Sequence, residues 1–296
     1  TANGDEGADT LTSIETFHFS DGDIQNSTTK YEEFRVNTNT TNNQSLSSII
    51  ALTNGGFVVT WSSDQDGSDY NIYAQRYDNN GTAQGNEFRV NSYTTNSQAA
   101  SSITKLTNGD FVVVWQSDGQ DGSYNGVYAQ RYDANGVTLG NEFLVNSYTG
   151  DSQFEPSITA LTDGGFAVAW TSVMRYGIYA QLYDANGMTR SSEFRVNTFY
   201  SNSEFQSPSI IALTNSGFAV TWSVPDKDGS VMGIFAKRYD VDGMSEFRVN
   251  TYTYNNQDHP SITTLTDGSF VVVWQSMGQD GSDYGIYAQR YDAHGV

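Results

Sequence analysis

The sequence predicts an all-β fold, a five-bladed β-propeller of four-stranded antiparallel blades, and three observations carry that expectation. The first is spacing. Tryptophan falls at Trp61, Trp115, Trp170, Trp222 and Trp274, with gaps of 54, 55, 52 and 52 residues. Each closes a similar phrase, GGFVVTW, GDFVVVW, GGFAVAW, SGFAVTW and GSFVVVW, and self-similarity at a long fixed period marks a repeat architecture. The second is two-sided burial. Phe57, Val59 and Trp61 point one way and Val58 the other, so this strand needs cover fore and aft, which radial blades supply. The third is an offset. The phrase EFRVN at 33–37 precedes the first full repeat, while the last repeat, ending in Tyr291-Asp292, lacks one. The N-terminal EFRVN therefore completes the fifth blade and seals the ring. An open array would leave an exposed strand edge, which folded proteins avoid.

Each repeat contains four strand-like runs, named A to D. In the second copy, A is Ser102-Ile-Thr-Lys-Leu106, and a Thr-Asn-Gly turn leads to B, Phe111-Val-Val-Val-Trp115. An acidic loop precedes C, Val127-Tyr-Ala-Gln-Arg-Tyr132, and the turn Asp133-Ala-Asn-Gly136 leads to D, Glu142-Phe-Leu-Val-Asn146. Runs of β-branched and aromatic residues punctuated by Gly, Asn and Asp read as antiparallel strands. A-B-C sets start near Ser48, Ser102, Ser157, Ser209 and Ser261; the later D phrases lie at 87–91, 142–146, 193–197 and 246–250. Strand direction puts the tight A-to-B and C-to-D turns on one face. The longer B-to-C and D-to-A loops share the other, where a rigid scaffold builds binding sites.

Composition narrows the function classes. Lys and Arg number 14 against 34 Asp and Glu, a formal charge of −20. Such a surface repels nucleic acid and anionic membranes and attracts cations. No apolar run approaches the length of a membrane span, so neither nucleic acid nor membrane insertion is expected. The chain has no cysteine, which excludes disulfides and thiolate metal sites.

At the N-terminus, Gly4-Asp-Glu-Gly7-Ala-Asp9-Thr-Leu11 resembles one degenerate copy of the calcium-binding nonapeptide of RTX (hemolysin-type) proteins, with Asp5 where a glycine is expected. The following Ser13–Gly22 segment is similar to one that closes RTX blocks. Residues 1–32 are read as an RTX-like remnant or linker and 33–296 as the propeller. The resemblance implies a monomeric module of a larger secreted protein, extracellular or on a bacterial cell surface.

The B-to-C loops are the first candidate sites. Asp64, Asp66 and Asp69 surround a glycine, as do Asp118 with Asp121, Asp226 with Asp228, and Asp280 with Asp283. Calcium takes six to eight oxygens, and alternating Asp beside a Gly turn can aim several at one point, so Ca2+ is the expected cofactor. Blade three has Val173-Met-Arg-Tyr176 instead, with no acid. The YDANG turns need no ligand, because Asx turns and left-handed glycine explain their spacing. Arginines on C (Arg76, Arg131, Arg238, Arg290) and D (Arg35, Arg89, Arg195, Arg248) are expected to pair with Glu33, Glu87, Glu142, Glu193 and Glu246.

Aromatic rings on the loop-rich face point to sugar. Tyr93, Tyr148, Tyr200 and Tyr252 lie in D-to-A loops, and Tyr70, Tyr124 and Tyr284 in B-to-C loops, beside Asn, Asp and Gln. Five-bladed lectins resemble this arrangement at the level of fold. The leading expectation is a non-catalytic binding or adhesion module for an extracellular glycan or cell-surface ligand. A structural spacer is one alternative, and a glycoside-cleaving enzyme another. The architecture also resembles five-bladed glycosidases of the arabinanase-like and invertase-like families, which place acids on inner strands. Glycoside cleavage needs two carboxyl groups at defined separation. Here the A strands read SIIAL, SITKL, SITAL, SIIAL and SITTL, and only their entrances vary, with Phe154-Glu155 in blade three and Asp258-His259 in blade five.

Overall fold

The computed structural model describes residues 33–67, 69–198, 207–214, 217–225, 231–240 and 243–295, together with the backbone of 16–19 and 22–25. Two compact units divide the chain, Thr1–Val36 and Asn37–Val296. The first contains a hairpin in which Thr16–Phe19 pairs antiparallel with Gly22–Gln25. The RTX-like phrase of residues 4–11 lies outside the described residues.

The second unit is the propeller. Its blades are successive antiparallel sheets, joined A to B to C to D in chain order. Blade one holds Gln44–Ala51, Phe57–Ser63, Asn71–Tyr77 and Phe88–Arg89. Blade two holds Gln98–Lys105, Phe111–Asp118, Asn125–Tyr132 and Phe143–Leu144. Blade three holds Gln153–Ala160, Phe166–Ser172, Gly177–Tyr183 and Phe194–Arg195. Blade four holds Ser209–Ala212, Phe218–Pro225, Met232–Asp240 and Gly243–Arg248. Blade five has three strands, Gln257–Thr264, Phe270–Met277 and Tyr284–Tyr291. Residues 33–37 form no strand, so the fourth strand expected for that blade is not seen.

In blades two to four strand B is buried on both faces because blades stack on either side of it. Four apolar clusters occupy the gaps between blades one and two, two and three, three and four, and four and five. Each tryptophan sits opposite an aromatic or phenolic partner on strand C, as in Trp115 with Tyr128 and Trp222 with Phe235. The final Tyr of strand C joins neighbouring blades. Tyr132 stacks on Phe111 with ring centroids 5.0 Å apart, and its hydroxyl donates to the Val90 carbonyl of blade one at 3.3 Å. Tyr183 repeats this one blade further on, donating to the Val145 carbonyl at 3.0 Å.

Three strand-C arginines link neighbouring blades where edge pairs with glutamate were expected. Arg76 donates to the Asn135 carbonyl at 2.5 Å and Arg131 to the Asn186 carbonyl at 2.7 Å, each reaching the YDANG turn of the next blade. Arg238 reaches the His294 carbonyl in the same way. The glutamates are occupied elsewhere, and Glu193 also pairs with Arg175. Glu87 accepts the Thr38 amide at 2.8 Å, Glu142 the Ser92 amide at 2.6 Å, Glu193 the Ser147 amide at 2.8 Å and Glu246 the Thr198 amide at 2.9 Å.

Candidate functional site

The A strands adjoin one another at the hub. The Ile210 amide donates to Ser157 Oγ at 3.3 Å, and the Ala212 amide to Thr159 Oγ1 at 3.0 Å, tying successive inner strands together. At the loop-rich end the inner strands of blades one, two, three and five are irregular. Pairing with strand B shifts between Ser45 and Ser48, Ala99 and Ser102, Phe154 and Ser157, and Asp258 and Ser261. One residue in each bulge has positive φ: Leu46 at 54°, Ala100 at 54°, Glu155 at 53° and His259 at 51°. Ser207 is the blade-four counterpart, at 23°. A non-glycine residue held there costs about 1–3 kcal/mol and aims a side chain away from the strand's regular alternation.

This is also where the repeat is least uniform. Blades one, two and four carry Leu46, Ala100 and Ser207, whereas blade three carries Glu155 and blade five His259, preceded by Asp258. Glu155 is half-buried. Its amide donates to Gln116 Oε1 of blade two at 3.2 Å, and its carboxylate accepts the Ser207 hydroxyl of blade four at 3.0 Å. Neighbours on both sides thus fix it. In blade five, His259 Nδ1 lies 3.0 Å from Asp258 Oδ1, with the ring open to solvent.

No family model matches the chain, and none of the curated proteins matches it. Solved structures do. An endo-arabinase from Bacteroides thetaiotaomicron VPI-5482 has a TM-score of 0.54 at 12 % identity, covering 87 % of this chain and 97 % of that one. The GH93 alpha-L-arabinofuranosidase of Fusarium graminearum, in complex with arabinobiose, gives 0.54 at 10 % identity over 83 % and 80 %. A thermostable family-43 glycoside hydrolase gives 0.50 at 12 % over 86 % and 91 %. The chain is a five-bladed propeller. The expectation of a non-catalytic adhesion module is thereby corrected, since these propellers are named as glycoside-cleaving enzymes.

The propeller distributes the expected sugar-binding tyrosines rather than gathering them. Tyr70, Tyr93 and Tyr252 are half-buried, and Tyr252 packs edge-on to Tyr254 with centroids 5.8 Å apart. Tyr148 is partly covered by the Arg175 guanidinium, 5.0 Å above its ring. Tyr124 and Tyr284 are exposed. Tyr124 borders a cleft of about 410 Å³ beside Asp151, Phe154 and Met174. Tyr200 lies outside the described residues.

Asp66, Asp121 and Asp280 hold their own turns, and Asp64 reaches the preceding D-to-A loop. Asp64 Oδ1 accepts the Asn43 amide at 2.8 Å, Asp66 Oδ2 the Asn71 side chain at 3.0 Å, Asp121 Oδ1 the Ser123 amide at 3.1 Å and Asp280 Oδ1 the Ser282 amide at 3.0 Å. The backbone carbonyls of Asp69, Asp118 and Asp283 accept from Asn71, Asn96 and Gly278. Among the described residues no three acidic, His or Cys side chains converge as a metal group. Asp226 and Asp228 lie outside the described residues.

Sequence reasoning passed over two sets of residues. One is the Asn that ends each D phrase. Asn146 Oδ1 accepts the Val127 amide at 2.7 Å, while its Nδ2 donates to the Tyr148 carbonyl and to buried Gln153, both at 3.0 Å. Asn91 and Asn250 repeat the pattern with Gln98 and Gln257. The signal was an Asn and a Gln recurring seven residues apart. The other is Asp151, fully buried in blade three. It replaces the Asn found at positions 42, 96 and 255. Its Oδ2 accepts Ser172 Oγ and the Met174 amide, each at 2.8 Å, and so closes the shortened B-to-C turn.

Proposed function

We propose that the propeller cleaves glycosidic bonds, with Glu155 of blade three and Asp258 of blade five supplying the two carboxyl groups. The observation that carries this reading is the positive-φ residue at the mouth of each inner strand: in blade three it is Glu155 itself, and in blade five it is His259, with Asp258 directly before it. Glycoside cleavage needs one carboxyl group to protonate the departing oxygen and a second to attack the anomeric carbon or activate water. Ser207 orients Glu155, and His259 stands beside Asp258 as a group able to exchange a proton with it or with substrate. Arabinofuranose-containing glycans are the first substrate class to try, because the propellers that share this fold include arabinan- and arabinofuranoside-cleaving enzymes. A polymer outside the cell also accords with the secreted setting inferred from the N-terminal phrase.

The test is hydrolysis of linear arabinan and of an aryl α-L-arabinofuranoside by the purified chain. Replacing Glu155→Gln or Asp258→Asn should lower the rate by roughly 10²–10⁴-fold, the scale of a lost acid–base group, with circular dichroism unchanged. Absence of sugar release by folded protein, or release unaltered in both variants, would sink the proposal.

A further inference from the structure

Blade three has the shortest B-to-C loop. Nine positions separate Trp170 from its strand-C partner Tyr179, against twelve or thirteen between the matching pairs of the other four blades. What remains, Val173-Met-Arg-Tyr176, folds back onto Asp151, whose Oδ2 takes the Met174 and Arg175 amides at 2.8 and 3.3 Å. Blade two keeps its full loop, so a cleft of about 410 Å³ opens between the long loop and the short one. Tyr124 from the long loop and Met174 from the short one line it, and each is 60 % exposed. Val173 and Phe154 complete its apolar lining. Phe154 directly precedes Glu155, so the cleft adjoins the inner-strand mouth of blade three.

We propose that this cleft holds a neutral aromatic ring carried by the glycan that is cut at the hub. The attachment to a glycan rests on the hydrolytic reading of the hub, whereas the ring rests on the cleft. A sugar unit needs several side chains to take its hydroxyls, and this lining has few to give. Asp151 is 1 % exposed and already accepts Ser172 Oγ and the two loop amides. The Ser152 carbonyl takes the Val173 amide at 3.1 Å. Asn125, Ser152 Oγ and the Tyr124 hydroxyl are the other polar side-chain groups of the lining. An aromatic ring instead suits tyrosine and phenylalanine, which favour offset or edge contacts with it, and the polarizable sulfur of Met174. Arg175 is engaged elsewhere, 3.7 Å over the Tyr179 ring and paired with Glu193. A ring without charge fits best, because the chain's formal charge of −20 repels anions.

Methyl 4-hydroxybenzoate, a neutral ring, is the probe. The unaltered chain, carrying carbon-13 at its five methionine methyls, reports by NMR where the probe sits. Ring currents should move the Met174 signal, identified by its loss in Met174→Leu, and the shift should saturate as a single site. The signals of Met188 and Met244, also exposed, should stay in place. Tyr124→Ala should weaken binding about tenfold, the scale of one lost aromatic contact, with the Met188 and Met244 signals showing that the fold is intact. Methyl cyclohexanecarboxylate, similar in size but saturated, should bind at least about fivefold more weakly. A Met174 signal that does not move up to the probe's solubility limit would overturn the proposal. Equal shifts at all three exposed methionines, or equal affinity for the saturated ring, would overturn it as well. Hydrolysis is not read in this experiment. Ring binding without sugar release would remove the enzymatic reading and leave the ring site standing, whereas sugar release without ring binding would remove the ring site alone.

Discussion

At the scale of single residues, buried amides do most of the specification. The Asn that ends each of the last four D phrases satisfies a strand-C amide, and three of them hold the following loop through Gln98, Gln153 or Gln257. Replacing Asn146→Ala would strand the Val127 amide and the Gln153 side chain in a dry setting. The expected loss is about 1–3 kcal/mol for each group left unpaired, measured as a lower urea midpoint. Asp151 makes a comparable case. Substituting Asp151→Asn removes an anionic acceptor from Ser172 and the Met174 amide, and should cost about 1–3 kcal/mol. Asn96→Asp in blade two should gain nothing, because its loop keeps full length; equal effects of the two swaps would contradict this assignment. The repetition of these Asn and Gln residues was visible in the sequence, but their role was not. A hydrogen bond between positions seven apart depends on how the loop folds back, which no local preference dictates.

Among the elements, strand B and strand C carry the packing between blades. Trp170 is fully buried between its neighbours, so Trp170→Ala should cost roughly 3–5 kcal/mol as a large core truncation, read by thermal or chemical unfolding. The strand-C tyrosines give the fold an alkaline limit. Burial, and then the nearby glutamates, raise the phenols of Tyr132, Tyr183 and Tyr239 above their ordinary 10.0. Burial, followed by Asp121 and Glu142, pushes Tyr128 up to about 12. A raised pKa means that the unfolded chain loses the proton first. Stability from these groups is therefore whole below pH about 10 and falls as pH rises through the folded values. A urea midpoint that stayed flat across that window would contradict the assignment. Period-two and two-sided apolar patterns made these strands legible in advance. The inner-strand bulges were not legible, since a positive φ at Glu155 or Ala100 follows from the crowding of five strands at one hub and not from the residue itself.

For the whole molecule, blade number was readable from the tryptophan spacing, and the order of blades follows the chain. The links between blades were misread. Arginines expected to pair with glutamates in their own blade instead hold the next blade's turn. Arg131→Ala should accordingly loosen blade three: faster hydrogen exchange is expected at the Asp184–Gly187 turn, with strands of blade two unchanged. Equal acceleration in both blades would argue against a link between them. Taken by itself, the sequence determined what is periodic and local: strands, turns, the tryptophan core and the count of blades. Those depend on side-chain alternation and glycine placement within a few residues. The tertiary structure alone decided where each polar group ends, because hydrogen bonds across blades join residues some fifty positions apart. It also decided that Asp66, Asp121 and Asp280 hold their own turns, and that Glu155 stands at a positive-φ position of the inner strand. The sequence marked the entrances at Glu155 and Asp258 as different from the other repeats; three-dimensional packing decided what Glu155 touches, between Gln116 of blade two and Ser207 of blade four.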